Sequence, residues 1–251
     1  MNGFVDLTCG ERVLRVDRSI CELATGRVYW RQFETHGEPA LTVRRHDTLD
    51  GTAISAPLGD CVFRRDDEAS LAVQVEDGLY RGELVLRLAW YLCATAQGAV
   101  LIHASAVKAG DAALVACGKS GDGKSTLSRL SVEAGLTLLT DEVVLLFPDG
   151  RVSGSPFRSD FEHAGAPGLV RAKYFVALHK APHEEMLALS PLEAVQLAMS
   201  QCFDVAEVAL PRLEVRRRLL SFLSNVEPRT FSFRKAADAG HFVKKALSAS
   251  P

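Results

Sequence analysis

The sequence predicts an α/β core preceded by a small β-rich unit, on three observations. Residues 1–81 carry short β-prone runs separated by Gly, Pro and Asp turns. From Gly82 the apolar spacing changes to that of a helix. Beyond residue 98, strand-like apolar runs alternate with helical stretches around a glycine-rich loop.

In the first 81 residues, the runs 13–16, 28–33, 41–44, 61–63 and 71–75 read as strands. Leu84, Leu86, Leu88, Trp90, Tyr91, Leu92 and Ala96 then populate a wide apolar helical face that ends near Gly98, which sets the expected domains at 1–81 and 82–251. Residues 99–103 and 112–117 are apolar strands around a polar turn, followed by the glycine-rich loop and a helix over 125–134 stopped by Gly135. Strand 136–140, the acids Asp141 and Glu142, and strand 143–147 lead to a turn at 148–150. The run 153–168 is loop-like and takes no element. Ser190, Pro191 and Glu193 open a helix reaching about residue 201, because serine can cap, proline fits the first turn and Glu193 completes a capping box. A strand over 226–233 and a helix over 236–246 close the chain.

Composition narrows the function classes. With 251 residues, 47% hydrophobic and 24% charged, the chain can bury a substantial core. A formal charge of -2 supplies no broad basic field for nucleic acid. Six cysteines without a CxxC pair suit reduced core thiols better than a disulfide framework or a zinc site. The first residues lack a basic and apolar leader pattern, and no apolar stretch is long enough to span a bilayer, so a soluble cytoplasmic protein without membrane contact is expected.

Gly118-Lys119-Ser120-Gly121-Asp122-Gly123-Lys124-Ser125 is a full phosphate-loop pattern between an expected strand and an expected helix. Its glycines let backbone N–H groups turn toward phosphate oxygens, Lys124 can reach the outer phosphates, and the Ser125 hydroxyl can ligate magnesium. Gly118, Ser120, Gly121, Asp122, Gly123, Lys124, Ser125 and Thr126 are thus the expected cradle for ATP, or another nucleoside triphosphate, with Mg2+. Asp141 and Glu142 end the next apolar strand, where one acid could hold metal and its neighbour accept a proton. Asp141 joins Ser125 as the expected metal pair. A solvated acidic turn is the plain alternative for the two acids, and a hydrogen-bonded structural role is the plain alternative for His103. Arg158 and Arg171 could contact phosphate but are more simply solvated charges, as is the run Arg216-Arg217-Arg218. His163, His179, His183 and His241 lack metal-ligand spacing.

The stretch from LIHASAVKAG through GKSGDGKSTL to LTLLTDEVVLLFPDG resembles the catalytic half of the HPr kinase/phosphorylase family and its relatives, whose P-loop core is shared with phosphoenolpyruvate carboxykinases. That resemblance covers about 50 residues by the family's own order of motifs, a histidine-led strand, a GxxGxGKS loop and an acidic pair. It implies a mixed sheet with flanking helices. It also implies that His103 is the active-site histidine, that Lys124 stabilises the transferred phosphoryl group, that Ser125 binds magnesium, and that one of Asp141 and Glu142 is the base. Ala104 stands where the family usually has glycine, Glu142 where it has a second aspartate, and residues 150–175 hold no counterpart of the later arginine-containing signature. Phosphorolysis, and HPr itself as acceptor, are accordingly not expected.

The expected activity is transfer of the γ-phosphoryl group of ATP to a serine-type hydroxyl of a peptide or protein, with homo-oligomers a further expectation from the resemblance. The alternatives are a kinase of free serine or a similar small hydroxyl compound, and a nucleotide-gated regulator without efficient transfer.

Overall fold

The structure is a computed structural model that describes residues 3–26, 28–56, 59–158, 161, 163–203, 208–236 and 238–249. The chain divides into two compact units, Met1–Gln97 with Asp204–Ala209, and Gly98–Phe203 with Leu210–Pro251.

The first unit pairs a hairpin of β1 (Phe4–Cys9) and β2 (Arg12–Asp17) with α1 (Arg18–Leu23), then adds β3 (Pro39–Arg45), β4 (Thr52–Ala56), β5 (Gly59–Asp67), β6 (Ser70–Gln74) and α2 (Leu79–Ala96). Its strands form one mixed sheet in the order β1-β2-β3-β6-β5-β4. Two sequence expectations change here. The run 28–33 is a 3-10 helix over Trp30–Phe33 rather than a strand, because Trp30 and Phe33 both turn inward and the Phe33 ring meets Trp90 edge-on at 5.8 Å. The division between the units falls after Gln97 rather than at Gly82, because Val85, Leu86, Ala89, Trp90 and Ala94 leave α2 apolar nearly all round, and it packs with α1 and β5.

The second unit contains β7 (Val100–His103), β8 (Ser105–Ala109), β9 (Ala112–Cys117), α3 (Lys124–Glu133), β10 (Thr137–Thr140), β11 (Val143–Leu146), β12 (Arg151–Ser153), β13 (Leu169–Lys180), β14 (Glu185–Ala188), α4 (Pro191–Ser200), α5 (Arg212–Leu223), β15 (Glu227–Phe233) and α6 (Asp238–Ser248). The sheet runs β10-β8-β9-β13-β12-β11-β7, with β15 parallel to β13 and β14 on its outer side. Strands β9, β13 and β15 form a parallel trio that is covered on both faces. Ala113, Val115 and Cys117 of β9 join Phe175 of β13 in an apolar cluster with α4 and α5. Leu114 and Ala116 face the other way, joining Val176, Phe231 and Phe233 in a cluster with α3 and α6. Alternate residues of one strand thus serve two cores, which is why the trio reads as continuous apolar sequence.

Strand β13 falls on residues for which no element is expected from sequence, and β8 replaces most of the expected polar turn, leaving only Gly110 and Asp111 between β8 and β9. In the run 153–168 Ser153 closes β12 and the other described residues form no named element, in keeping with its loop-like composition; residues 159, 160 and 162 lie outside the described set. On α5 the arginine run divides. Arg217 is exposed, whereas Arg218 turns inward, pairs with Glu214 at 2.6 Å and donates to the Ala99 carbonyl.

The capping box of α4 forms as its residues predict: Ser190 Oγ accepts from the Glu193 N–H at 3.3 Å, and Glu193 Oε2 accepts from the Ser190 N–H at 3.2 Å. Ser190→Ala is expected to lower Tm by about 2–4 °C in a thermal melt. Hydrogen bonds from the Ser190 hydroxyl and N–H hold the Glu193 carboxyl below its ordinary value of 4.5. A depressed carboxylate contributes stability above its unfolded pKa and loses it as pH falls through the folded one. The gap between wild type and Ser190→Ala should therefore narrow on acidification below the ordinary glutamate value.

Candidate functional site

The loop after β9 is knitted by its own polar groups. Asp122 Oδ2 accepts from the Lys119 N–H at 2.6 Å, and the Asp122 N–H donates to the Lys119 carbonyl at 3.2 Å. Gly123 closes the loop as the residue before α3, with φ of 106° and Phe233 so near that an added Cβ would lie 3.0 Å from its ring. Both the left-handed backbone and the packing require glycine there. Lys124 is only 6% exposed, and its Nζ donates to the carbonyls of Gly118 (2.8 Å) and Lys119 (3.3 Å). The ammonium thereby spans the loop that its own helix follows. Burial lowers its pKa, opposed by the carboxylates of Asp122 and Glu142. Glu142 is thus within electrostatic reach of Lys124.

Ser125 and Thr126 follow in the first turn of α3, both half-buried, while Ser120 and Gly121 lie exposed at the loop's outer side. The first turn of a helix of this length presents its N–H groups and the positive end of its dipole. Directly before the loop, burial pushes the Cys117 thiol up to about 12, so it stays neutral and places no negative charge beneath the loop.

Strand register brings the acids to the same edge. Both β9 and β10 run antiparallel to β8, so they point the same way and end together. Thr140 pairs with Ala106, and Ala106 with Val115, which sets Asp141 and Glu142 level with the last residues of β9, across the intervening β8. Strands β7 and β8 are two halves of one path bent at Ala104, and β10 and β11 are two halves of another, bent at Asp141 and Glu142. The bends face each other, since Val143 pairs with His103 and the Ala104 N–H donates to the Glu142 carbonyl at 3.3 Å.

At this edge His103 Nδ1 is 3.5 Å from Glu142 Oε2. Asp141 is buried, at 2% exposed, whereas Glu142 keeps 16% of its side chain exposed. The His103 N–H donates to the Gln201 carbonyl at 2.7 Å, and its ring meets Phe203 edge-on at 6.3 Å. Sequence reasoning passed over Thr140, whose Oγ1 accepts from the N–H groups of Glu142 (3.2 Å) and Val143 (3.4 Å) and so fixes the bend. The signal was available, because a threonine directly before an acidic pair at a strand end is suited to this local turn. Arg171 is not part of the site: it pairs with Ala112 at the far end of β9, roughly 17 Å along the strand from Cys117. A cavity of about 620 Å³ opens at that far edge, lined by Asp111, Arg171, Lys173 and Glu227, and is separate from the loop.

Among the described residues no group of three or more His, Cys, Asp or Glu could hold a metal. The oxygen donors of Ser125 and Asp141 are nonetheless the hard kind that magnesium takes, and magnesium ordinarily uses one or two protein oxygens together with phosphate. The donor chemistry therefore fits Mg2+ and does not fit zinc. No helix among the described residues is long and apolar enough to cross a membrane.

No protein-family profile matches the chain, and no curated protein matches it in sequence. Among solved structures it is similar to the HPr(Ser) kinase/phosphatase from Coxiella burnetii, at 12% identity and a TM-score of 0.28, over 58% of this chain and 98% of that one.

Proposed function

We propose that this chain is an ATP- and magnesium-dependent kinase that transfers the γ-phosphoryl group to a serine-type hydroxyl of a peptide or protein. The observation that carries the proposal is the shared edge: a glycine-cornered loop with a buried lysine leaves β9 where the bent strands present His103, Asp141 and Glu142.

In this reading the N–H groups of residues 118–126 cradle the phosphates, and Lys124 Nζ takes the charge that develops on the transferred group. Ser125 and Asp141 would hold Mg2+, which when bound supplies neutralisation of phosphate charge. Glu142 is the proton acceptor, since it is the acid of the pair that keeps surface open to an incoming hydroxyl. His103 holds the Glu142 carboxylate in place from 3.5 Å. The acceptor oxygen bonds to the γ-phosphorus, the bond to the bridging oxygen breaks, the hydroxyl proton passes to Glu142, and ADP leaves.

The test is transfer of label from γ-labelled ATP with serine-containing peptides, free serine and no acceptor in parallel. Label on a peptide is the expected result. Label on free serine alone would assign the small-molecule class, and release of phosphate without acceptor labelling would overturn the kinase reading. Glu142→Gln should lower transfer by about 10²–10³-fold while ATP affinity changes little. Equal losses in binding and turnover would place Glu142 in the binding site and not in proton transfer.

A further inference from the structure

The kinase proposal makes no use of the cavity of about 620 Å³ at the far edge of the second unit's sheet. Its size is that of a small-molecule site. The walls come from the Gly110-Asp111 turn, the early residues of β9, β13 and β15, the connection after α5 and the last turn of α6. Because β9, β13 and β15 run parallel, this edge lies at the opposite end of β9 from the glycine-rich loop.

Four charged side chains line the cavity, and two of them are already matched. Lys173 Nζ donates to the carbonyls of Ala246 (3.0 Å) and Ala249 (2.5 Å), where it meets the negative end of α6. Glu227 Oε2 accepts from Arg229 at 2.5 Å. Arg171 and Asp111 differ. Among the described residues the Arg171 guanidinium bonds only the Asp149 carbonyl, at 3.3 Å, and neither it nor the Asp111 carboxylate has an ion-pair partner. Asp149 gives its carboxylate to Arg151 at 2.6 Å, and Arg151 stands opposite Arg171 on the paired strand β12. A cation directly opposite a cation is unfavourable, and an anion laid on Arg171 relieves it. Asp111 is one residue from Ala112, the β9 partner of Arg171, so an open cation and an open anion sit on neighbouring strands without meeting. The rest of the wall includes Ala112, Val226 and Leu247, and it is firmly held: Asn225 Nδ2 donates to the carbonyls of Pro148 (3.1 Å) and Ser221 (2.9 Å) directly before Val226.

We propose that this cavity binds a free amino acid with an apolar side chain, its carboxylate on Arg171, its ammonium on Asp111 and its side chain against Ala112, Val226 and Leu247. The two open charges select a zwitterion. A phosphate would face Asp111 and Glu227, and a simple amine would face Arg171. Exposed charge pairs are individually weak, so Kd is expected on the order of 0.1–1 mM. This site stands apart from the kinase proposal, and neither depends on the other.

The experiment is a ligand-observed NMR titration of the full chain without nucleotide, using L-leucine, L-phenylalanine, N-acetyl-L-leucine, L-leucinamide and inorganic phosphate. The two amino acids are expected to bind, with the acetylated and amidated forms each about three- to five-fold weaker. Arg171→Ala should erase the preference for leucine over leucinamide, and Asp111→Asn the preference for leucine over N-acetyl-leucine, which assigns each end of the ligand to its residue. Both positions are exposed, so the variants should fold, and label transfer from ATP should be unchanged in them. The proposal is wrong if neither amino acid binds by about 10 mM, if the acetylated or amidated form or phosphate binds as tightly as leucine, or if both variants keep the wild-type preferences. No phosphoryl transfer enters the titration, so its failure and that of the kinase assay are told apart.

Discussion

Lys124→Met should lower ATP-dependent phosphoryl transfer by about three orders of magnitude, the scale of removing one electrostatic clamp from a developing charge. Methionine keeps the apolar stem in its packed position, so the loss belongs to the ammonium alone. The same substitution should leave the nucleotide-free protein as stable as wild type or more so. Burial lowers the Lys124 pKa, which means the charged form is less favourable folded than unfolded. For a cation with a depressed pKa, stability rises with pH between the folded and unfolded values, and below both the full penalty applies. At neutral pH wild type carries that penalty and Lys124→Met does not. A thermal melt without nucleotide, set beside a label-transfer assay, checks both halves. Normal turnover in Lys124→Met would remove the loop from the chemistry.

A gain in stability on losing activity would also explain why a lysine occupies so enclosed a position. Its two carbonyl partners, Gly118 and Lys119, hold the loop in a curled form. In the kinase proposal, the buried charge is tolerated because that curl sets the phosphate cradle in advance.

Local chemistry was readable in the sequence where one segment decides its own structure. Glycines at 121 and 123, the Ser190 to Glu193 cap and the apolar run 112–117 each specify a conformation within about eight residues, and each is found. Strand β13 was not readable. Its first half, Leu169-Val170-Arg171-Ala172-Lys173-Tyr174, mixes charge with apolar residues, and only pairing with β9, β12 and β15 makes it a strand. The run 28–33 misled in the opposite sense, because its β-prone aromatic composition reflects burial of Trp30 and Phe33, not pairing.

The candidate site divides along the same line. Gly118 to Ser125 could be named from spacing alone, and the acids and histidine could be singled out as residues. Their convergence could not, because it depends on two strand paths that bend at Ala104 and at Asp141-Glu142 and pair on both sides of the bend. A bend has no apolar period of its own. Only the resemblance to a family with the same order of motifs suggested that these positions meet.

The second large effect is expected at Gly240, far in sequence from the loop. An alanine there would place its Cβ 2.0 Å from the Leu130 carbonyl oxygen, 2.6 Å from the carbonyl carbon and 3.1 Å from the Ser131 nitrogen. All three are backbone atoms of α3, so no side chain can swing aside. On an exposed helix the same replacement would stabilise by about 1 kcal/mol through helix propensity. Against that stands the separation of two packed helices, about 3 kcal/mol or more for an overfilled contact. The clash should win, with Gly240→Ala melting about 5–10 °C below wild type. Because α3 begins at Lys124 and Ser125, a displaced α3 should also weaken ATP binding several-fold, measurable by calorimetry on the folded variant. An unchanged or raised Tm would mean that α6 and α3 do not meet through their backbones at Gly240, and that the packing which anchors the phosphate loop lies elsewhere.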